Sequence, residues 1–313
     1  MGKHYLVTYS QHDSEPFGVS EWDIVCFPNC FGDTFSFTGT DVCISCFKPG
    51  RERLFCQDSH ANAFTRGDSK SSQQAETVNA ENSIAKAGSY DECLDLMYGL
   101  MACRHEPIHS KLMKIRDKYS MLHLDVLLLI YRFAKLCSGS ILEIGAFVGG
   151  ATIAAALGIR DSGHKKKLIA IEAGGSVKHK RLGTRNILRD LERNLARENV
   201  ANMVTLIKGK SFKQETVSAV RQALGPDQVG LLILDADAAK RRDIDCYRDK
   251  FGERSWIVID DIYGADANEK ITPSRADVDG LVEEGLLEPL GFYGWSTWVG
   301  RWRGRAPNQV AQA

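Results

Sequence analysis

The sequence predicts an α/β protein built on a doubly wound, largely parallel sheet, and three observations predict it. Short apolar runs alternate with helical stretches from residue 140 onward. Acids stand at the ends of these runs, at Glu143, Glu172 and Asp235. A glycine turn, Gly145-Ala-Phe-Val-Gly-Gly150, joins the first run to the first helix. Strands that alternate with helices imply right-handed crossovers and parallel strands buried on both faces. Ligands of such sheets sit beyond the carboxyl ends of the strands, where the strand order reverses.

The composition suits a folded protein of one large domain or two ordinary ones: 313 residues, 43% apolar and 26% charged. Forty basic residues balance forty acidic ones, so no global field draws the chain to nucleic acid or an anionic membrane. No uncharged apolar run reaches the roughly 18 residues of a membrane span. Met1-Gly-Lys-His-Tyr-Leu-Val-Thr8 lacks the apolar segment of a signal peptide. The expectation is a cytoplasmic protein with neither nucleic-acid nor membrane partners.

Residues 1–65 form a cysteine-rich accessory region with strand-like stretches at Trp22–Cys26 and Thr34–Thr38. Cys26, Cys30, Cys43 and Cys46 have spacing close to that of a zinc ribbon, which would give Zn²⁺ four thiolates. The other reading makes these cysteines small buried apolar residues beside Phe27, Phe31, Phe47 and Phe55. The region then serves as a substrate lid, a dimer contact in a homo-oligomer or an extension. Residues 66–88 are polar and read as a linker. Residues 89–136 read as a helical cap, one helix carrying Leu94, Met97, Leu100 and Met101 and another running from Leu122 to Leu136. From 137 to 303 the strand candidates are 140–144, 167–171, 203–208, 229–235 and 255–260. The helix candidates are 150–159, 184–198, 214–224 and 239–251. The aromatic stretch Gly291–Arg301 reads as strand, with Tyr293, Trp295 and Trp298 packing in a hairpin, and 304–313 is a tail.

Gly145 and Gly149 permit close backbone approach to a ligand, and the helix that follows exposes N–H groups that favour a carboxylate or phosphate. Glu172 ends the second strand, 23 residues after Gly149. A dinucleotide fingerprint would read G-x-G-x-x-G, whereas this turn reads G-x-x-x-G-G. Two carboxylates beside a glycine turn suit a nucleoside-type cofactor with a ribose.

Leu142-Glu-Ile-Gly-Ala-Phe-Val-Gly149 resembles the first motif of class I S-adenosylmethionine-dependent methyltransferases, and Ile171-Glu172 resembles their second. The resemblance implies a Rossmann-like, seven-stranded methyltransferase sheet. It also implies that Glu172 holds the ribose hydroxyls and that Glu143 and Gly145 lie near the cofactor's amino-acid part. Gly209-Lys-Ser211 resembles the turn near the adenine in the catechol and caffeoyl-coenzyme A O-methyltransferase group, which places Ser211 there. The likeness covers about 120–302, and Ala151 stands where that group often has a serine, with Thr152 beside it.

Leu231-Leu-Ile-Leu-Asp-Ala-Asp237 and Trp256-Ile-Val-Ile-Asp-Asp261 are two buried strands that end in acids. Neighbouring parallel strands lie about 4.8 Å apart, so these carboxylates converge and repel unless a cation or protons sit between them. A hard divalent ion such as Mg²⁺ meets that need. The arrangement resembles the metal site of the same O-methyltransferase group, with Asp235, Asp260 and Asp261 in the ligand positions and Asp261 where the group has Asn. The group's basic lysine, three residues after the first Asp, is here Ala238. Lys240 and Arg241 are expected to point elsewhere, because a helix turns about 100° per residue. Asp235 and Asp237 are the catalytic candidates, with Asp237 or a metal-bound hydroxide as base. Asp235 is also counted with the cofactor-binding residues.

The function expected is metal-assisted methylation of a small-molecule hydroxyl on a phenol, sugar or polyketide. Tyr119-Ser-Met-Leu122 is expected to form part of the acceptor pocket. The rival readings are an NAD-dependent oxidoreductase and a non-catalytic nucleoside- or zinc-binding interaction protein.

Overall fold

The computed structural model describes residues 5–11, 22–28, 91–263 and 270–304. Near the start of the chain, strands β1 (Tyr5–Gln11) and β2 (Trp22–Pro28) pair in a two-stranded sheet. Of the zinc candidates, Cys30, Cys43 and Cys46 lie outside the described residues, as do the strand expected at 34–38 and the linker.

The main unit begins with helix α1 over residues 91–103. Its buried side differs from the expected stripe. Leu96 and Cys103 are buried, while Met101 and its neighbour Tyr98 face solvent. Helix α2 (Pro107–Tyr119) starts with proline, whose missing N–H costs nothing in a first turn. Helix α3 (Leu124–Leu136) is capped by His123, whose Nδ1 accepts from the Asp125 N–H. These helices are not a separate layer: Leu127 to Ile130 and Phe133 share one apolar core with α4 and the sheet.

The sheet follows as β3 (Ser140–Ile144), β4 (Leu168–Glu172), β5 (Val204–Lys208), β6 (Val229–Leu234), β7 (Phe251–Ile259), β8 (Leu287–Tyr293) and β9 (Thr297–Trp302). In space the order is β5-β4-β3-β6-β7-β9-β8. All pairs are parallel except those that β9 makes with β7 and β8. Pro289 is tolerated in β8 because that strand lies at the edge. Helices α4 (Gly150–Ser162) and α5 (Ile187–Arg197) cover one face with α2 and α3. Helices α6 (Gln214–Leu224), α7 (Lys240–Tyr247) and α8 (Ile271–Glu283) cover the other. Alternate residues of β3 feed the two cores, Ile141 one and Leu142 and Ile144 the other, so the strand reads as continuously apolar.

Two expectations are corrected. The helix expected over 239–251 ends at Tyr247, and after one 3₁₀ turn the chain is already strand at Phe251. Phe251 pairs with Val229 and Trp256 with Leu231, so a bulge with Arg254 at φ 55° absorbs the extra residues. Helix α8 had no apolar periodicity to announce it. Only Val278 and Leu281 bury large side chains.

The order reverses between β3 and β6, because β3 leads outward to β4 and β5 and the chain then returns to the other side of β3. Gly145 follows β3 and Asp235 follows β6, so both acidic motifs meet at this switch point.

Candidate active site at the switch point

Beyond the sheet edge the strand ends are bonded to one another. The N–H of Gly145 donates to Ile171 O (3.0 Å), that of Asp235 to Ile144 O (2.9 Å) and that of Asp260 to Leu234 O (3.0 Å). Gly145 has φ +91°, and a Cβ there would lie 2.1 Å from the carbonyl oxygen of Asp235. Only glycine lets the two strand ends approach this closely.

Glu172 is fixed by this turn. Its two carboxylate oxygens accept from the N–H of Phe147 (2.7 Å) and of Gly174 (2.8 Å). Phe147 itself sits at φ 48°, an uncommon conformation for a bulky residue. From α5, Asn194 Nδ2 donates to Val148 O and holds the turn from behind. Glu143 is 1% exposed, and its Oε2 has no hydrogen-bond partner among the described residues. Burial, opposed by hydrogen bonding at Thr152 and aided by the Glu172 charge, pushes the Glu143 carboxyl up to about 8.

Glu143, Glu172, Gly145, Ser211, Asp235 and Asp237 line one cavity of about 440 Å³. Tyr119 to Leu122, between α2 and α3, form another wall. That loop packs hard on α4, since a Cβ at Gly150 would lie 2.4 Å from Ser120 Cβ. Gly149, at φ +103°, caps α4 and packs against Leu191. Ser211 is buried and donates to Asp243 Oδ1 (2.8 Å), and Arg242 grips the same oxygen at 2.9 Å. The Arg242 guanidinium also lies 3.9 Å from the Phe212 ring centroid, which fixes an aromatic face on the cavity wall.

The two acid-tipped strands bring oxygens of Asp235, Asp260 and Asp261 within 4.8 Å of one another. Asp260 Oδ1 accepts from Thr297 Oγ1 (2.6 Å), which ties it to β9. Asp261 has φ 60°, a left-handed conformation in which Asp and Asn are the commonest non-glycine residues. Burial, then the Asp260 charge, raises the Asp235 carboxyl well above the usual range, against the pull of Lys270.

Asp237 stands apart from these three. Burial works against its charge, but the Ala239 N–H and the Arg242 guanidinium outweigh it and hold the carboxyl low. A carboxylate so committed is a poor proton acceptor.

Sequence reasoning missed two lysines. Lys240 was expected to point away, yet it is 0% exposed and its electrostatic partners are Asp235, Asp261 and Asp260. Lys240 is the first residue of α7, and its side chain is buried there. Lys270 lines the cavity, pairs with Asp261 and lies 3.8 Å from Asp235. It sits far along the chain, with no spacing to mark it. In the hairpin, Trp298 is 3% exposed and packs in the core, but Trp295 is 63% exposed and its ring meets His123 edge-on at 4.7 Å.

The seven-stranded sheet in this order, with a glycine turn at its switch point and an acid at the next strand's end, is a Rossmann-like frame. Residues 142–262 match the sequence profile of the family described as "Methyltransferase domain". No curated protein matches the chain. Among solved structures it is similar to the O-methyltransferase TomG from Streptomyces achromogenes, in complex with S-adenosylmethionine: 15% identity over 66% of this chain and 96% of the other, TM-score 0.48. It is similar also to the methyltransferase PaMTH1 from Podospora anserina, bound to S-adenosylhomocysteine: 15% identity, 77% and 100%, TM-score 0.45. An O-methyltransferase from Bacillus cereus gives 14%, 57% and 78%, with TM-score 0.42. Likeness at these scores carries nothing about substrate. Among the described residues, no helix is long and apolar enough to cross a membrane.

Proposed function

We propose that the chain transfers a methyl group from S-adenosylmethionine to a hydroxyl oxygen of a small molecule. The observation that supports this reading is the cavity at the switch point, which Glu143, Glu172, Ser211 and Asp235 line together. Residues 137–303 would be the catalytic domain, and residues 89–136 would contribute the acceptor wall through Tyr119–Leu122.

The donor's binding site fits the residues present. Glu143 Oε2 is a buried acceptor with nothing to accept, and a cationic amino group is the partner that restores its charge. Glu172 keeps lone pairs for two ribose hydroxyls after taking its two backbone N–H bonds. Ser211 and Phe212 would border the adenine. When bound, the donor supplies a methyl carbon on a cationic sulfur.

We assign Asp235 as the group that takes the acceptor's proton, since it faces the cavity while Asp237 is committed to Arg242. As the acceptor oxygen bonds to the methyl carbon, the carbon–sulfur bond breaks and its electron pair stays on sulfur. Holding the oxygen in line removes much of the entropic cost of encounter. Met121 and Trp295 are exposed apolar groups on the neighbouring loops and suit an acceptor with an apolar body. The carboxylates expected to ligate Mg²⁺ do not fit a resident divalent ion, because the Lys270 ammonium stands among them. No step is assigned to a metal.

The test is calorimetry with S-adenosylhomocysteine, followed by an acceptor screen read by mass gain of one methyl group. Binding of the thioether with transfer to at least one hydroxyl compound is expected. Absence of binding, with NAD binding in its place, would overturn the reading.

A further inference from the structure

We propose that Lys270 is the resident cation of the Asp235–Asp260–Asp261 cluster, holding the place of a divalent ion so that this site operates without bound metal. This deepens the reading of the site given above, but its test is metal binding and does not depend on methyl transfer.

Three observations carry it. First, the cluster's charge is already opposed from two sides. The Lys270 ammonium pairs with Asp261 and lies 3.8 Å from Asp235 Oδ1, so it occupies the gap between the two carboxylates. The Lys240 ammonium is fully buried, has no hydrogen-bond partner among the described residues, and has Asp235 as its foremost electrostatic partner. Second, two helix N-termini add positive potential, since α7 begins at Lys240 and α8 at Ile271. A divalent ion entering here would face both ammonium groups and both helix ends, at carboxylates that are only partly exposed.

Third, Lys270 is held in place by the frame. Ser274 Oγ on the first turn of α8 donates to Ala238 O, 3.4 Å away, and the Arg241 N–H donates to Asp277 Oδ2 at 2.9 Å. These bonds lock α8 to the segment that carries Asp235 through Lys240. Asp260 is likewise committed, with one oxygen bonded to Thr297. An octahedral ion needs ligands free to close round it and gives up its waters reluctantly. Here one ligand is tied to β9 and another to an ammonium.

The experiment is titration of the full chain with Mn²⁺, followed by electron paramagnetic resonance of the free ion. Wild type, Lys270→Arg and Lys270→Met are compared, with thermal melts to verify folding. Wild type and Lys270→Arg are expected to leave Mn²⁺ free. Lys270→Met, which removes the charge and keeps the stem, is expected to bind at least about tenfold more tightly. Adding Asp235→Ala to that variant, which removes one donor of the cluster, should abolish the gain. Wild type binding Mn²⁺ as tightly as Lys270→Met overturns the proposal. If Lys270→Met does not fold, tight Mn²⁺ binding by wild type and Lys270→Arg overturns it, and free Mn²⁺ in both supports it. S-adenosylhomocysteine calorimetry on the same samples reports separately on the donor site.

Discussion

The carbonyl oxygen of Asp235 lies where a side chain on Gly145 would have to begin, 2.1 Å from an added Cβ. The contact brings the end of β3 close to the segment that follows β6, beside the glycine turn. Gly145→Ala should therefore cost about 3 kcal/mol or more, from strained φ and overpacking together. Gly163 is the control: it has φ +69° but nothing within 4 Å, so Gly163→Ala should cost only the conformational penalty of about 1–2 kcal/mol. Urea denaturation measures both, and equal costs would show that the Asp235 contact is relaxed.

Glu143 makes stability depend on pH. Its folded-state carboxyl is raised to about 8 from an ordinary 4.5, so the folded protein holds a proton that the unfolded chain has released between those values. The stabilisation is fully present below about pH 4.5 and is lost as the pH rises through about 8. Wild-type Tm should fall relative to Glu143→Gln between about pH 5 and about pH 9. Parallel Tm curves would sink the assignment.

The same group couples donor binding to proton release. A cationic amino group beside Glu143 draws the carboxyl back toward ionisation. Calorimetry of S-adenosylhomocysteine at neutral pH, in two buffers of different ionisation enthalpy, should show up to one proton released. Glu143→Gln should show none.

Glu172→Gln keeps one acceptor oxygen for the turn but removes the charge that would face the ribose. A loss of about 1.5–3 kcal/mol in S-adenosylhomocysteine affinity is expected, the range for hydrogen bonds to a charged group. Unchanged affinity in a protein with an unchanged melt would remove Glu172 from the donor site.

Lys240 and Asp235 should be coupled energetically. In a double-mutant cycle of Lys240→Met and Asp235→Asn, the coupling measured by urea unfolding should be about 1–3 kcal/mol. Additive effects would mean that the buried ammonium supports the fold without reference to the acids.

Much of the candidate site was legible because its parts are local. Glu143, Gly145 and Gly149 belong to one strand–turn–helix unit, and Glu172 ends the next strand. Period and strand length fix where such residues fall, and burial on both faces makes the strands plain in sequence. Helix α8 and the early start of β7 were not legible. The first carries few apolar residues, and the second depends on a bulge that only pairing with Val229 explains.

The sequence by itself determined the alternation of strands and helices, the acids at the strand ends and the glycines of the turn, since each rests on neighbours along the chain. Only the tertiary structure decided what neutralises the acids. Lys240 is buried at the start of α7 with Asp235 as its foremost electrostatic partner, and Lys270 is brought back by the docking of α8. Charge compensation acts through space over a few ångströms, and no spacing along the chain records which ammonium will stand between which carboxylates.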